Sequence, residues 1–375
     1  MMNKHLAILS LAAIVAACDA NRVATEPQAS LQDAAELVGG SGPRAVYTIT
    51  NQVAGNAVAV FARATDGTLT AGGSFATGGT GTGASLGSQG SVAVSNDGQL
   101  VFAVNAGSND ISVLRAGTFG LTLLSRTSSG GTLPISVTVS GNLVYVLNAG
   151  GAGNISGFTL DGAGVLTPIA GSTQPLSGSA TDPAQVSFSP DGRQLVVTEK
   201  GTNLIDVYAV DNGVAGGRES FTSAGRTPFG FAFGPRKELL VTEAGAPGSA
   251  SSYALNPSGN LRILSGTVLT HQGAPCWAVI TADGRFGFTG NGAGSVTGFS
   301  IRPNGRIALL DANGASAVLG GGVNDIALSG GSRFLYVLQV SNGPSIQAYR
   351  VGDNGSLTAL GGVSVPDGAR GLAAF

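Results

Sequence analysis

Hydrophobic and polar residues alternate along this chain in short runs, each broken by turn residues, and the runs recur as a longer phrase. "SVAVSNDGQLVFAVNAGSNDISVL" from Ser91 is a loose copy of "SVTVSGNLVYVLNAGGAGNISGF" from Ser136 and of "QVSFSPDGRQLVVTEKGTNLIDVY" from Gln185. Three more copies begin at Gly230, Trp277 and Asp325. Taking Val92, Val137, Val186, Phe231, Ala278 and Ile326 as markers, the copies are spaced by 45 to 49 residues. A period of about 45 residues built from four short strands is the signature of a propeller blade. Within each copy the period-two alternation predicts strands, and the Asp-Gly and Asn-Gly pairs supply the positive φ angles that tight hairpins need.

The two ends complete the count. Residues 46–75 hold the second, third and fourth strands of a blade without its first, whereas "ARGLAAF" from Ala369 matches a first strand alone. Leu372 falls 46 residues after Ile326. The expectation is an all-β, seven-bladed propeller of four-stranded antiparallel blades over residues 44–375, its ring closed by the C-terminal strand joining the N-terminal blade. Such closure hides the sheet edges that otherwise invite aggregation.

Ahead of the repeats, Lys4 and His5 precede an apolar stretch from Leu6 to Val15 that is too short to span a bilayer and ends in small residues. Val15-Ala16-Ala17-Cys18 has the pattern of a bacterial lipobox, so residues 1–18 read as a signal peptide with Cys18 as the lipidated residue. Residues 19–43 are polar, end in Gly-Gly-Ser-Gly-Pro and read as a tether. The expectation is an exported, lipid-anchored protein of the bacterial cell envelope, or a periplasmic or secreted one if cleavage near Ala20 removes Cys18. The chain has two cysteines, and acylation of Cys18 would leave Cys276 without a partner and the mature protein without an internal disulfide.

Composition narrows the function classes. Charged residues make up 11% of the chain, the net charge is −2 and no Lys/Arg run exists, which argues against a nucleic-acid partner. The 61 glycines fit a fold rich in turns, and 43% hydrophobic residues are ample for a core. No Cys/His pairing suggests a metal, and no cofactor is expected. A monomer bearing a small-molecule site is the simplest reading, with membrane attachment through the lipid anchor only.

In a propeller the first strand of each blade lines the central channel, and its start shares a face with the end of the second strand. The expected second strands end in Asn51, Asn105, Asn148, Glu199, Glu243, Asn291 and Gln339. Loops on the same face carry Arg226, His271, Asp325 and Arg370, and Lys200 follows Glu199. The plainer reading of this ring is that amides and carboxylates tie down loop N–H groups. That reading suits the asparagines and Gln339, although Asn105, Asn148 and Asn291 are also candidate substrate contacts. Glu199 and Glu243 are candidates for catalysis, since a carboxylate beside an enclosed channel needs a cation, a network or a ligand. His271 is the sole imidazole outside the leader and the third catalytic candidate. Arg226, Arg370, Asp325 and Lys200 are candidate substrate-binding residues, the arginines being suited to an anionic ligand. Gly83-Ala84-Ser85-Leu86-Gly87 fits G-x-S-x-G by chance, and its surroundings, with "STQPLSGSATD" from Ser172, read as flexible loops on this face.

The phrases "YTITNQ", "VFAVNAGSNDISVL", "SFSPDGRQLVVTEKGTNLIDVY" and "TPFGFAF" resemble the lactonase-like seven-bladed propellers, which include 6-phosphogluconolactonase and carboxymuconate cyclase. The resemblance covers about residues 45–375. It implies a metal-independent site on the channel-mouth face for acidic sugar lactones or muconates. Family enzymes commonly begin one first strand with Pro-Arg-His and end the next with Asn-Glu, where this chain has Pro183-Ala184-Gln185 and Thr198-Glu199. The glutamate matches, but the arginine and histidine do not. Two functions follow: hydrolysis or cycloisomerisation of a small acidic lactone with Glu199 as base, or non-catalytic binding of a ligand or protein on the same face. Phosphorylated sugar lactones are the least expected substrates of an exported protein.

Overall fold

The computed structural model describes residues 44–118 and 120–375. The expected signal peptide, with Cys18, and the expected tether lie outside the described residues. All regular structure within them is β, in seven antiparallel sheets that we number as blades in chain order. Blade 1 runs from the rim inward as Leu69–Ala76, Ala57–Arg63, Ala45–Ile49 and Arg370–Ala374. The closing pairing joins Val46 to Ala374, Tyr47 to Ala373 and Ile49 to Arg370. Blades 2 to 7 begin at their inner strands Val92–Val94, Pro134–Ser140, Pro183–Phe188, Pro228–Phe233, Pro275–Ile280 and Val323–Leu328. The seven-bladed ring and its closure are as the repeat spacing predicts.

The apolar character of the second strands follows from burial on both faces. In blade 4, Leu195 and Val197 pack towards blade 3 with Ile135, Tyr145 and Leu147, while Val196 packs towards blade 5 with Phe231, Leu239 and Val241. Every residue of Gln194–Glu199 is buried. A strand covered on both sides loses the polar-out alternation of a half-exposed sheet. The outer strands regain it: Val214–Thr222 keeps one buried residue, Ala215, and exposes or half-exposes the rest.

Two irregularities have local causes. The outer edges of blades 3 and 6 are split into Leu166–Pro168 with Gln174–Pro175, and Ile307–Leu309 with Ala317–Val318. A glycine in the intervening segment of each has positive φ, Gly171 and Gly314, and turns the chain out of the sheet. In blade 2 the inner strand is short, and the residues just ahead of it, Gly87–Gly90, bond instead to the inner strands of blades 3, 4 and 6.

Buried tyrosines bridge neighbouring blades. The Tyr145 hydroxyl donates to Gly213 O at 2.8 Å and accepts from Ala215 N at 2.7 Å, tying blade 3 to blade 4. Tyr336 donates to Gly67 O at 3.0 Å, tying blade 7 to blade 1. Burial raises the pKa of both phenols, so these hydroxyls stay protonated as donors.

If closure carries the ring, Leu372→Asp should cost about 3 kcal/mol or more, because it places a charge in the closing strand. Leu123→Asp on an exposed outer strand should stay within about 0.5 kcal/mol. Chemical denaturation followed by circular dichroism separates the two, and equal losses would show that closure is dispensable.

Candidate functional site

The register places the ends of the second strands beside the starts of the first, on one face of the disc. Glu199 pairs with Pro183, Glu243 with Pro228, Asn291 with Pro275 and Gln339 with Val323. Asn51, Asn105, Asn148, Glu199, Glu243, Asn291 and Gln339 are all buried there. Their side chains turn into the blades and do one recurring task. They anchor the loops around the second-strand ends, including in several blades the loop that crosses from the outer strand of the preceding blade.

The asparagines show the pattern. Asn51 donates to Ala84 O at 2.7 Å and accepts from Thr82 N at 3.0 Å. Asn105 accepts from Thr77 Oγ1 at 2.7 Å and donates to Asp110 Oδ1 at 2.6 Å and Ser112 Oγ at 2.8 Å. Asn148 donates to Ser129 O at 3.1 Å and Asn154 Oδ1 at 2.9 Å, and Asn291 to Ser295 Oγ and Thr297 Oγ1, each at 2.9 Å. Gln339 holds Ser341 O at 3.0 Å.

The two glutamates occupy equivalent positions and do equivalent work. Glu243 accepts from Gly225 N at 2.8 Å, Ser223 Oγ at 3.3 Å and Ser249 Oγ at 2.5 Å. Glu199 accepts from Ser177 N at 2.9 Å, from the Ser177 hydroxyl and from Thr202 Oγ1 at 2.6 Å. Neither carboxylate has exposed surface. Burial acts to raise the pKa of Glu199, but the hydrogen bonds from Asp206, Ser177 and Thr202 outweigh it and hold it below the ordinary value. Asp206, on the third strand of blade 4, is the partner that sequence reading missed. Its signal was its register: it lies opposite Val197, two positions before Glu199 on the adjacent strand.

Lys200 points the other way, into the ring. Its Nζ donates to Gly87 O at 2.6 Å, lies 3.2 Å from Asp182 Oδ1 and sits 4.8 Å from the centre of the Phe229 ring. Gly87 belongs to the segment read from sequence as a flexible loop, and the structure corrects that reading. Residues 87–90 form a stopper between the inner strands of blades 3, 4 and 6. Ser88 O accepts from Trp277 Nε1 at 3.0 Å, and Ser88 Oγ donates to Ile135 O at 2.9 Å. Gln89 N donates to Ala184 O at 3.1 Å. The Gln89 amide pairs with both backbone groups of Ala278, donating at 2.8 Å and accepting at 3.0 Å. Gly230 must lack a side chain for this, since a Cβ there would stand 2.1 Å from Gln89 Oε1.

Asp325 is fully buried at the same hub. It accepts from Ile326 N at 2.8 Å and from Leu372 N in the closing strand at 2.9 Å, and its pKa is raised well above the ordinary value by burial, against the pull of backbone hydrogen bonds that include Gly90. Arg370 is buried too, and donates from Nη1 to Ala369 O at 2.8 Å. Arg226 and His271 remain exposed, on loops flanking residues 244–248. Gly245 N donates to Arg226 O at 3.1 Å, and Thr270 N to Gly248 O at 3.0 Å. His271 lines a groove of about 390 Å³ between blades 5 and 6, walled by Ala244, Ala246, Pro247, Leu269 and Ala293. The structure therefore brings Glu199 and Lys200 to latch and stopper, Asp325 to the hub, and Arg226 with His271 to the open rim. It does not bring Glu199 and Glu243 together at one open site.

Among the described residues no group of three or more potential ligands could hold a metal ion, and no helix is long and apolar enough to cross a membrane. Cys276 is buried in the inner strand of blade 6, while Cys18, on which its pairing depends, lies outside the described residues. Asp97, Asp191 and Asp283 cap the first hairpin turns, as their positions imply.

The latch makes a specific demand on glycine. A Cβ on Gly131 would stand 2.6 Å from Asn148 Cγ, whereas one on Gly178, in the corresponding loop to blade 4, would meet nothing within 4 Å. Gly131→Ala should therefore cost about 1–3 kcal/mol, and Gly178→Ala should stay within about 0.5 kcal/mol. Urea midpoints measure both, and a neutral Gly131→Ala would remove the latch as a source of stability.

A family model for "Lactonase, 7-bladed beta-propeller" matches residues 27–175. A search of curated proteins finds no match. Among solved structures, a Lactobacillus plantarum protein is 18% identical, with a TM-score of 0.72 over 88% of this chain and 98% of that one. A candidate 6-phosphogluconolactonase of Bacteroides fragilis is 19% identical, with a TM-score of 0.69 over 89% and 99%. The periplasmic gluconolactonase of Pseudomonas aeruginosa is 18% identical, with a TM-score of 0.68 over 87% and 98%. At these identities the structural likeness is one of fold, and with the family match it bears out the resemblance of this chain to the lactonase-like seven-bladed propellers.

Proposed function

We propose that this chain is a ligand-binding propeller of the bacterial cell envelope, built on the lactonase-like scaffold, exported through its leader and anchored at Cys18. The observation that carries this reading is the saturation of the two glutamates. Both are buried, and both serve as acceptors for loop hydroxyls and amides. A general base must reach the proton it removes, and the stopper held by Lys200 occupies the mouth towards which a substrate would come. The face that stays open carries Arg226 and His271, with an apolar groove beside the histidine. An imidazole lining an apolar groove, with an arginine exposed on the same face, suits a compact ligand with an acidic group, such as an acidic lactone or a related cyclic carboxylate. The protein acts as a monomer on a small molecule, and no nucleic acid takes part.

A second reading is hydrolysis or cycloisomerisation of such a lactone, favoured by the lactonase family match and by the periplasmic gluconolactonase fold neighbour. Incubating the purified protein with non-phosphorylated aldonolactones and muconolactones, followed by NMR, separates the readings. Binding predicts broadened ligand resonances without conversion, and an affinity reduced about tenfold in Arg226→Ala or His271→Ala. Conversion that falls by about 10²-fold or more in Glu199→Gln would establish the enzyme instead.

A further inference from the structure

Blade 4 differs from five other blades at one position. Opposite the residue two before the second-strand end, on the adjacent third strand, stand Ser112, Ser156, Ser251, Thr297 and Gln347 in blades 2, 3, 5, 6 and 7. Each can donate a hydrogen bond. Blade 4 has Asp206 there, beside a second carboxylate, Glu199. Both side chains are buried with 0% exposure, and the two carboxyl groups lie close enough for each to act on the other's titration. Asp206 Oδ1 accepts from Ser220 Oγ at 2.6 Å. Asp206 Oδ2 receives no N–H or O–H donor among the described residues, and its nearest cation is Arg218 Nε at 3.7 Å.

Two carboxylates in contact in a buried site cannot both stay ionised without a steep penalty, and one proton between them removes it. We propose that this proton is the catch of the blade 4 latch. With it, Asp206 donates to Glu199 and Glu199 holds Ser177 and the crossing loop 176–182; without it, two like charges face each other behind the loop and release it. Burial first, and then Glu199, raise the pKa of Asp206 to about 8, whereas Glu199 is held low by its donors. Because the folded latch binds the proton more tightly than the unfolded chain, its stabilisation is complete below the ordinary aspartate pKa. It is lost as pH rises through about 8.

The other charged or titratable groups facing the pair are Arg218 on the fourth strand and Tyr208 on the third. Blade 3 supplies Pro175, Leu176 and Ser177, none of which titrates; Arg218 also binds the carbonyls of Pro175 and Leu176 at 3.2 and 2.6 Å, so it braces the same loop. The released segment includes Asp182, the ion-pair partner of Lys200. Opening the catch therefore loosens one of the two polar restraints on the lysine that holds the stopper.

Hydrogen exchange on the full chain at pH 7.0 and 9.5, corrected for intrinsic chemistry, tests the catch. The loop 223–227, held by the lone carboxylate of Glu243, serves as internal reference. Exchange in residues 176–182 should rise about tenfold over the reference in the wild type. Asp206→Asn, an isostere of the protonated acid, should hold the rise below about twofold. Asp206→Ser, which installs the hydroxyl found in blades 2, 3 and 5, should do the same if the asparagine variant fails to fold. An equal rise in wild type and variant, or no rise in the wild type, overturns the proposal.

Discussion

The pairing of the last strand with the first is the constraint on which everything else depends. Seven sheets fill a ring only if the seam is sealed, and here the seal is a few backbone hydrogen bonds between Ala45–Ile49 and Arg370–Ala374. Once it forms, each second strand has a blade on either side, and residues such as Val196 and Val197 can both be apolar. Asp325 shows how closely the seal is supported: one buried carboxyl caps an amide in blade 7 and an amide in the closing strand.

Sealed rings create a second problem, because the chain must cross from the rim of one blade to the hub of the next. That crossing exposes backbone groups to a largely apolar setting, and orphaned groups there cost about 1–3 kcal/mol each. The buried amides and carboxylates at the second-strand ends meet this need. The ring of polar residues is thus better understood as an architectural device repeated with the blades than as a catalytic constellation. The proposed binding function therefore looks to side chains that the device does not consume, Arg226 and His271, ahead of the more conspicuous glutamates.

The fold was legible because its signal was repetition. The markers from Val92 to Ile326 fix the period, and the three strands at one end with the single strand at the other fix the number. The face carrying the polar ring was also readable, since strand direction alone determines it. Three things were not. Glu199 and Lys200 are adjacent in sequence but point to opposite sides of a strand, and only the neighbours on each side reveal latch and stopper. The segment 87–90 looked like an idle glycine-rich loop because its partners, Ala184, Lys200 and Ala278, are far away in sequence. Asp206 was hidden for the same reason: its importance lies in what faces it across a strand pair, and a lone aspartate in an alternating run carries no such mark.

The Gln89 side chain behaves as a peptide group carried on an arm. It pairs with both backbone groups of Ala278, 189 residues away, while its own backbone binds Ala184. The hub is therefore cross-braced, with one short segment joining the inner strands of blades 3, 4 and 6. A ring held only by neighbours could widen by sharing small displacements among seven contacts. Here, widening between blades 3, 4 and 6 must also stretch the brace, so these blades are tied across the hub as well as to their neighbours.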